Sequence, residues 1–243
     1  MLKKPAALEI GDDNPFKNDQ LDRRGSIENL TQLVQTIDQP FVLTINGKWG
    51  MGKTTFVQMW MEHLDKARQP CIYFNAWEND YSEDPLVDFM AEIQSSINSR
   101  DIDVSKIPGA KKLWGTVKKL GVSVVRQAAP IALKAATHGL LDAKQVSEAF
   151  GDVKLGEATG DLVESWAKKK IEKHDEEKKT VKHFKESLAK FVEKIAESGR
   201  LESPVIFFID ELDRCRPSFA IELLERIKHI LSVRGIVFVL SLD

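Results

Sequence analysis

The sequence predicts an α/β fold with a mostly parallel β-sheet, interrupted by a mainly helical segment. Short apolar segments alternate with amphipathic helical segments over residues 40–99, and the same alternation returns after residue 200. Strands that alternate with helices in this way form parallel sheets. A glycine-rich turn also joins the first strand directly to a helix, and a second short apolar strand follows, which is the order of a βαβ unit.

Composition sets broad limits on the function. With 42% hydrophobic and 30% charged residues, the 243-residue chain is an ordinary globular protein of one large or two small domains. The net charge of -2 lacks the basic excess of nucleic-acid-binding domains, so nucleic acid is not indicated as a partner. Cys71 and Cys215 form no CxxC pair, which argues against a disulfide framework or a zinc site and suits a reducing cytoplasm. No apolar run follows the N-terminal lysines, so no signal peptide is expected.

The elements of the first block follow from periodicity. Apolar residues at three- and four-residue steps predict a helix over residues 27–37, with Ser26 as its N-cap. The next segments predict, in order, a strand (FVLTI), a helix (TTFVQMWMEHLDKA), a strand (CIYFNAW) and a second helix from about Pro85.

The remaining elements complete the pattern. Residues 100–200 are predicted to be mostly helical, and the last helix there has one buried stripe, formed by Val181, Phe184, Leu188, Phe191, Val192 and Ile195. Its lysine runs at 168–170 and 178–179 alternate with glutamates, as on a solvated helix face. After residue 200 we expect a buried strand (VIFFID), a helix from Pro217 to about Val233 and a strand (IVFVLSLD).

The strongest motif lies at residues 47–54, which read GKWGMGKT and satisfy the phosphate-binding P-loop pattern G-x4-G-K-[ST] between a strand and a helix. Glycines let the loop curl so that its N–H groups point inward, and the helix N-terminus adds positive potential. Lys53 is expected to reach the β- and γ-phosphates, both binding them and assisting catalysis. Thr54 is the expected Mg²⁺ ligand, and Thr55 would lie at the α-phosphate. The complete predicted nucleotide-binding loop is Gly47, Lys48, Trp49, Gly50, Met51, Gly52, Lys53, Thr54 and Thr55.

A second motif lies where the strand VIFFID ends in two acids. The C-terminal ends of parallel strands are where ligands collect, so Asp210 is predicted to hold Mg²⁺ through water. Glu211 is the candidate general base that would activate the attacking water. The alternative is that one of these acids only caps the following turn. For Asp213 and Arg214, mutual pairing and sensing of the γ-phosphate both stay open.

Three segments together resemble one family. NGKWGMGKTT, CIYFNAWEND, and VIFFIDELDRCRP with the later VFVLSLD resemble the KAP family of P-loop NTPases, within the wider STAND group. Gly-Trp-Gly in the loop, Asn-Ala-Trp at 75–77 and Asp-Arg-Cys at 213–215 are its most specific parts. The resemblance covers roughly residues 20–99 and 200–243. Because the sheet of such proteins normally continues, the sequence is expected to be truncated at its C-terminus.

The resemblance implies a three-layer α/β NTPase in two halves, residues 1–99 and 201–243, with a helical insertion at 100–200. It implies a regulated switch, and some bacterial members are linked with phage exclusion. By resemblance, the segment Leu-Asp-Arg-Arg that ends at Arg24 lies on the adenine side of the nucleotide, with Arg24 best placed to contact it. Trp77 matches a family position but is expected in the core.

Many members of this family carry membrane-spanning helices in the insertion, and this sequence departs from them. Its most apolar stretch, residues 121–141, is interrupted by Arg126, Lys134 and His138. A central arginine or lysine costs about 2.5–3.5 kcal/mol, whereas a valine or leucine returns only about 0.3–0.6 kcal/mol. We therefore expect a packed or surface-lying helix that does not span a membrane. The protein is expected in the cytoplasm, or peripherally at the inner face of the membrane.

The leading functional hypothesis is an ATP-hydrolysing switch that uses Mg²⁺ and acts on a protein partner or within an oligomer. ATP is preferred because no N-K-x-D segment indicates guanine selectivity. A nucleic-acid-handling motor, a P-loop kinase and a nucleotide-binding scaffold without turnover are the alternatives. The water-activating role proposed for Glu211 favours hydrolysis over phosphate transfer to another acceptor.

Overall fold

The computed structural model describes residues 10, 14–82, 85–100, 102–121, 160–199, 202–228 and 230–243, with no side-chain detail for 160–174 and 177. The described residues form a parallel sheet of four strands: β1 Phe41–Asn46, β2 Cys71–Asn75, β3 Val205–Asp210 and β4 Ile236–Leu242. Their order across the sheet is β1-β4-β3-β2. The predicted parallel α/β fold is confirmed. All but the first residue of the apolar stretch 121–141 lies outside the described residues.

The helices are α1 Arg24–Gln35, α2 Lys53–Lys66, α3 Pro85–Ser99, α4 at 110–121, α5 Gly160–Glu197 and α6 Pro217–Ile227. The predicted N-cap at Ser26 is wrong because α1 begins two residues earlier. The Asp19 carboxylate accepts from the N–H of Leu21 and of Arg23 (3.2 and 2.6 Å), which turns the chain before Ser26. The predicted helix end near Val233 is also wrong. After Ile227 the chain continues in turns.

Helices cover both faces of the sheet, which gives the expected three layers. Side chains of β3 alternate between the faces, as in any strand. Ile206 and Phe208 pack with α1 and α2, whereas Phe207 and Ile209 pack with the helices of the other layer. The strands are therefore buried on both sides, which explains why VIFFID reads as an uninterrupted apolar run.

Residues 102–120 and the part of α5 from Val181 to Ile195 belong to this second layer. Trp114 of α4 stacks on Phe191 of α5 with ring centroids 4.9 Å apart. Both share one hydrophobic cluster with Phe207 and Phe238 of the sheet. The predicted apolar stripe of the last helix is confirmed, with Val181 only partly buried at its edge. This segment thus supports the sheet directly.

The two cysteines are free and buried in different layers. Cys71 packs with α1 and α2, and Cys215 packs in the opposite cluster. Burial raises the pKa of each thiol to about 11. Both thiols therefore stay protonated at neutral pH, which suits packing better than nucleophilic chemistry.

A buried hydrogen bond between α1 and α2 leads to a stability prediction. The Trp60 indole Nε1–H donates to Thr31 Oγ1 at 3.0 Å, and Trp60 packs edge-on against Phe208. Thr31→Val should lower the free energy of unfolding by about 1–3 kcal/mol, because it leaves the buried indole N–H without an acceptor. Urea unfolding measures the change. Thr31→Ser, which keeps the hydroxyl, is the control, and an equal loss in both variants would contradict this interpretation.

Candidate active site

The P-loop connects the end of β1 to the start of α2. Gly50 and Gly52 have φ of 84° and 79°, a left-handed conformation that side-chain-bearing residues rarely adopt. The loop is also tied to the end of β4. The Gly47 N–H donates to the Leu242 carbonyl at 3.2 Å, and the Trp49 N–H donates to Asp243 Oδ2 at 3.1 Å. These contacts hold the loop over the C-terminal edge of the sheet.

Arg23, just before α1, also contacts the P-loop. The family resemblance favours its neighbour, Arg24, for contact with the nucleotide. Arg23 Nη2 donates to the Met51 carbonyl at 3.1 Å, and a Cβ on Gly52 would lie only 2.6 Å from the same nitrogen. Arg24 instead pairs with Glu28. Its Nε lies 2.8 Å from Glu28 Oε1, and the Arg24 side chain is 66% exposed. The adenine-side role of Arg24 stays a prediction, and Arg23 is the arginine in contact with the P-loop.

The two sequence motifs meet at one cavity of about 210 Å³. It is lined by Trp49, Gly50, Gly52, Lys53, Thr54, Asp210, Glu211, Asp213 and Arg214. Within the P-loop, Lys53 Nζ folds back onto the Gly47 carbonyl. Of the remaining predicted nucleotide-binding residues, Gly47, Lys48, Met51, Thr55 and Arg24 do not line it. The structure thus brings together the residues to which the sequence assigns metal binding and catalysis.

A larger depression of about 970 Å³ lies beside β2, lined by Cys71 and Arg100 among others. Its volume exceeds that of the P-loop cavity, but its lining includes no P-loop residue and neither Asp210 nor Glu211. The smaller cavity is the better candidate, because phosphate binding depends on loop N–H groups and a lysine at a helix N-terminus.

Asp210 is 1% exposed at the end of β3. Its Oδ1 accepts from the Glu211 N–H at 2.9 Å, and its Oδ2 accepts from the Tyr73 hydroxyl at 3.2 Å. Burial, with Asp210 beside it, raises the pKa of Tyr73, so that hydroxyl stays protonated as a donor. Strand β4 separates β3 from β1, yet Asp210 and the P-loop still line the same cavity.

Glu211 adopts a left-handed conformation with φ of 60°, which is uncommon for a residue with a side chain. Its Oε1 lies 2.7 Å from Arg214 Nη1, and its Oε2 accepts from Asn75 Nδ2 at 3.3 Å. Of the two alternatives for Arg214, the structure does not give pairing with Asp213, and sensing of the γ-phosphate stays a prediction. Its ion-pair partner is Glu211.

Asn75 and Trp77 contact two of the cavity-lining residues, Glu211 and Arg214. Asn75 Oδ1 accepts from the N–H groups of Trp77 and Glu78 (3.1 and 3.2 Å), so its Nδ2 is left to face Glu211. Trp77 is 53% exposed, so its expected place in the core is wrong. The turn that follows Asn75 carries the ring out of the sheet, and the Arg214 guanidinium lies 5.9 Å from its centroid. Sequence reasoning assigned no site role to Tyr73 or to Asn75 of the family-specific Asn-Ala-Trp, although both lie on the strand next to β3.

The donor set suits Mg²⁺. Thr54 offers a hydroxyl and Asp210 a carboxylate whose oxygens each keep further acceptor capacity. Mg²⁺ in phosphate sites needs only one or two protein ligands, because waters and phosphate oxygens complete its octahedron. Among the described residues no group of three or more His, Cys, Asp or Glu side chains could hold a metal, and this type of site requires none.

Comparison with known families decides the assignment. A model described as the KAP family P-loop domain matches residues 23–243. The chain belongs to the KAP family. The match runs through residues 100–200 as well as the two motif-bearing parts, and it places this KAP protein among nucleotide-binding P-loop NTPases. No curated protein matches the chain.

In the part of the chain that the structure describes, no helix combines the length and apolarity that crossing a bilayer requires.

Proposed function

We propose that this KAP protein binds ATP with Mg²⁺ in the P-loop cavity and hydrolyses the bond between its β- and γ-phosphates. One observation carries the proposal. Lys53 and Thr54 on one side, and Asp210 and Glu211 on the other, line the same cavity. Hydrolysis needs phosphate binding, a metal and a directed water in one place, and these four side chains supply the protein's part of each.

The P-loop performs the binding step. Its backbone N–H groups and the N-terminus of α2 attract the phosphates, and the Lys53 ammonium adds a positive charge at the β- and γ-phosphates. Thr54 and Asp210 would hold Mg²⁺, which when bound neutralises charge that develops on the phosphate oxygens. Because Tyr73 and the Glu211 N–H fix both oxygens of Asp210, that carboxylate is pre-oriented for the metal.

Glu211 performs the proton-transfer step. Its carboxylate, with the side chain only 12% exposed, lies next to the residue that would hold the metal. It orients a water toward the γ-phosphate and accepts a proton as the new P–O bond forms and the bond to the β-phosphate oxygen breaks. Products are ADP and inorganic phosphate.

The metal role of Asp210 gives the experiment for this proposal. Asp210→Asn should weaken Mg²⁺ binding to the complex with a fluorescent ATP analogue by about 10- to 100-fold, because it removes the charge that orients the metal-bound water. Affinity for the analogue without metal should stay close to that of the wild type. Mg²⁺ titration of the complex measures the first value, and titration with the analogue in the presence of a chelator measures the second.

Asp213→Asn is the matched control for the Asp210 variant, since it removes the same charge from the same cavity. An equal loss in the two variants would mean that Mg²⁺ responds to the overall negative field, and it would contradict the assignment of Asp210.

The proposal extends to a switch in which nucleotide state controls a protein partner or an oligomer. The support is that the cavity joins several elements: the P-loop and the end of β3 line it, and its Arg214 also contacts Trp77 in the turn after β2. A cytoplasmic or peripheral location rests on the unpaired cysteines and on the charges within residues 121–141, whereas a role in phage exclusion rests on family resemblance. Infection assays with wild-type protein and a Lys53→Ala variant test the defence role.

A further inference from the structure

We propose that Arg214 is a nucleotide-dependent latch, which holds Glu211 in the nucleotide-free protein and moves to the γ-phosphate when ATP binds. This inference rests on the proposed hydrolysis at the same site and assigns a residue that couples ATP binding to release of the general base.

The contact on which this proposal rests is the ion pair between Arg214 and Glu211. Arg214 Nη1 lies 2.7 Å from Glu211 Oε1, and Asn75 Nδ2 donates to the other oxygen, Oε2. The left-handed backbone at Glu211 leads into a tight 3-10 turn, Leu212–Arg214, closed by the Arg214 N–H donating to the Glu211 carbonyl at 3.1 Å. Both carboxylate oxygens of Glu211 therefore have protein partners. Oε1 is occupied by the guanidinium, whereas a general base needs that oxygen to accept a hydrogen bond from water.

The Arg214 side chain is placed to move. It is 38% exposed, lines the cavity together with Lys53, and lies against the exposed ring of Trp77. Arg216, two residues later, is fixed by comparison. Its Nε lies 2.8 Å from Asp80 Oδ1, its N–H donates to Asp80 Oδ2 at 2.9 Å, and its Nη2 contacts the Asp80 carbonyl. The segment is thus anchored at Arg216, while the Arg214 guanidinium is held by one ion pair and a ring face.

The γ-phosphate is the stronger partner for this guanidinium. It presents several oxygens and more negative charge than one carboxylate, and the arginine fork matches such an oxyanion with two parallel hydrogen bonds. When ATP is present, Arg214 turns from Glu211 to the phosphate, and the freed Oε1 accepts from the attacking water. ADP lacks this phosphate, so Arg214 stays with Glu211. Glu211 is therefore released only when a γ-phosphate is bound.

The test compares the affinities of a non-hydrolysable ATP analogue and of ADP in the presence of Mg²⁺. Arg214→Ala should weaken binding of the analogue by about 10- to 100-fold, as expected for loss of one hydrogen bond between charged groups. Binding of ADP should change little. Arg214→Gln, which keeps the length of the side chain, repeats the measurement in case the alanine variant does not fold.

Arg234→Ala is the control, because it removes an exposed arginine that lies outside the cavity. It should leave the ratio of the two affinities unchanged. Trp77 provides a second readout. Trp49 also lines the cavity and would respond to any nucleotide, so the measurement is made with Trp49 replaced by Phe. The analogue should then change the fluorescence of Trp77 as the guanidinium leaves the ring. ADP should not, and the change should vanish in Trp77→Phe and in Arg214→Ala.

Failure of the latch and failure of the proposed function give different results. If the wild type binds the analogue and Lys53→Ala weakens that binding, but Arg214→Ala leaves the ratio unchanged or weakens both ligands equally, the latch is wrong. If the wild type binds neither nucleotide, or binds both regardless of Lys53→Ala, the proposed function itself is wrong.

Discussion

Replacing Lys53 by alanine is expected to lower the affinity for ATP by about 10- to 100-fold and to remove measurable hydrolysis. The Lys53 ammonium is the positive charge that the P-loop places in the cavity. A hydrogen bond to a charged group contributes about 1.5–3 kcal/mol. Each 1.4 kcal/mol corresponds to a factor of ten in affinity. Calorimetric titration with Mg²⁺ and ATP measures the binding, and phosphate release measures the turnover.

Lys66→Ala is the control for this variant. Lys66 is the last residue of the same helix, about 20 Å from Lys53 at 1.5 Å per residue. Its replacement should change neither ATP affinity nor turnover. Wild-type affinity in Lys53→Ala, with the fold intact by thermal unfolding, would show that nucleotide does not bind through this loop.

Replacing Glu211 by glutamine is expected to reduce kcat by about 100- to 10,000-fold, the contribution typical of general base catalysis. ATP binding should be retained or become tighter. The amide cannot accept the proton, yet it can still accept from Asn75 and no longer binds Arg214 as an ion pair. Single-turnover hydrolysis and equilibrium binding on the same preparation separate the two effects.

Glu202→Gln makes the same chemical change just before the opposite end of β3, where the side chain is exposed. Its kcat should match the wild type. If Glu211→Gln hydrolyses ATP at the wild-type rate, another group activates the water and the role assigned to Glu211 is wrong.

Local patterns predicted most of this fold and the main residues of the site. The conformation of the P-loop is encoded in its own residues, since Gly50 and Gly52 adopt the left-handed conformations that it needs. Buried strands such as VIFFID appear as apolar runs because both faces of the sheet are covered. Asp210 and Glu211 could be assigned because a strand end has a fixed place relative to its sheet.

Features that depend on pairing between distant segments were not predictable from the sequence. The position of β4 between β1 and β3 is set by packing across the whole sheet, and nothing local specifies it. The partner of Arg214 depends on the left-handed backbone at Glu211, which brings the two charges onto one side. Trp77 reads as a core residue by type. The turn organised by Asn75 places it outside the core.

The central claim is that water attacks the γ-phosphate of ATP in the P-loop cavity. Hydrolysis in water enriched in the heavy oxygen isotope, followed by mass spectrometry of both products, tests it most directly. We predict a single heavy oxygen in each released phosphate, none in ADP, and no labelled phosphate from Lys53→Ala. Unlabelled phosphate, heavy oxygen in ADP, or no product from the wild type with Mg²⁺ would contradict the claim.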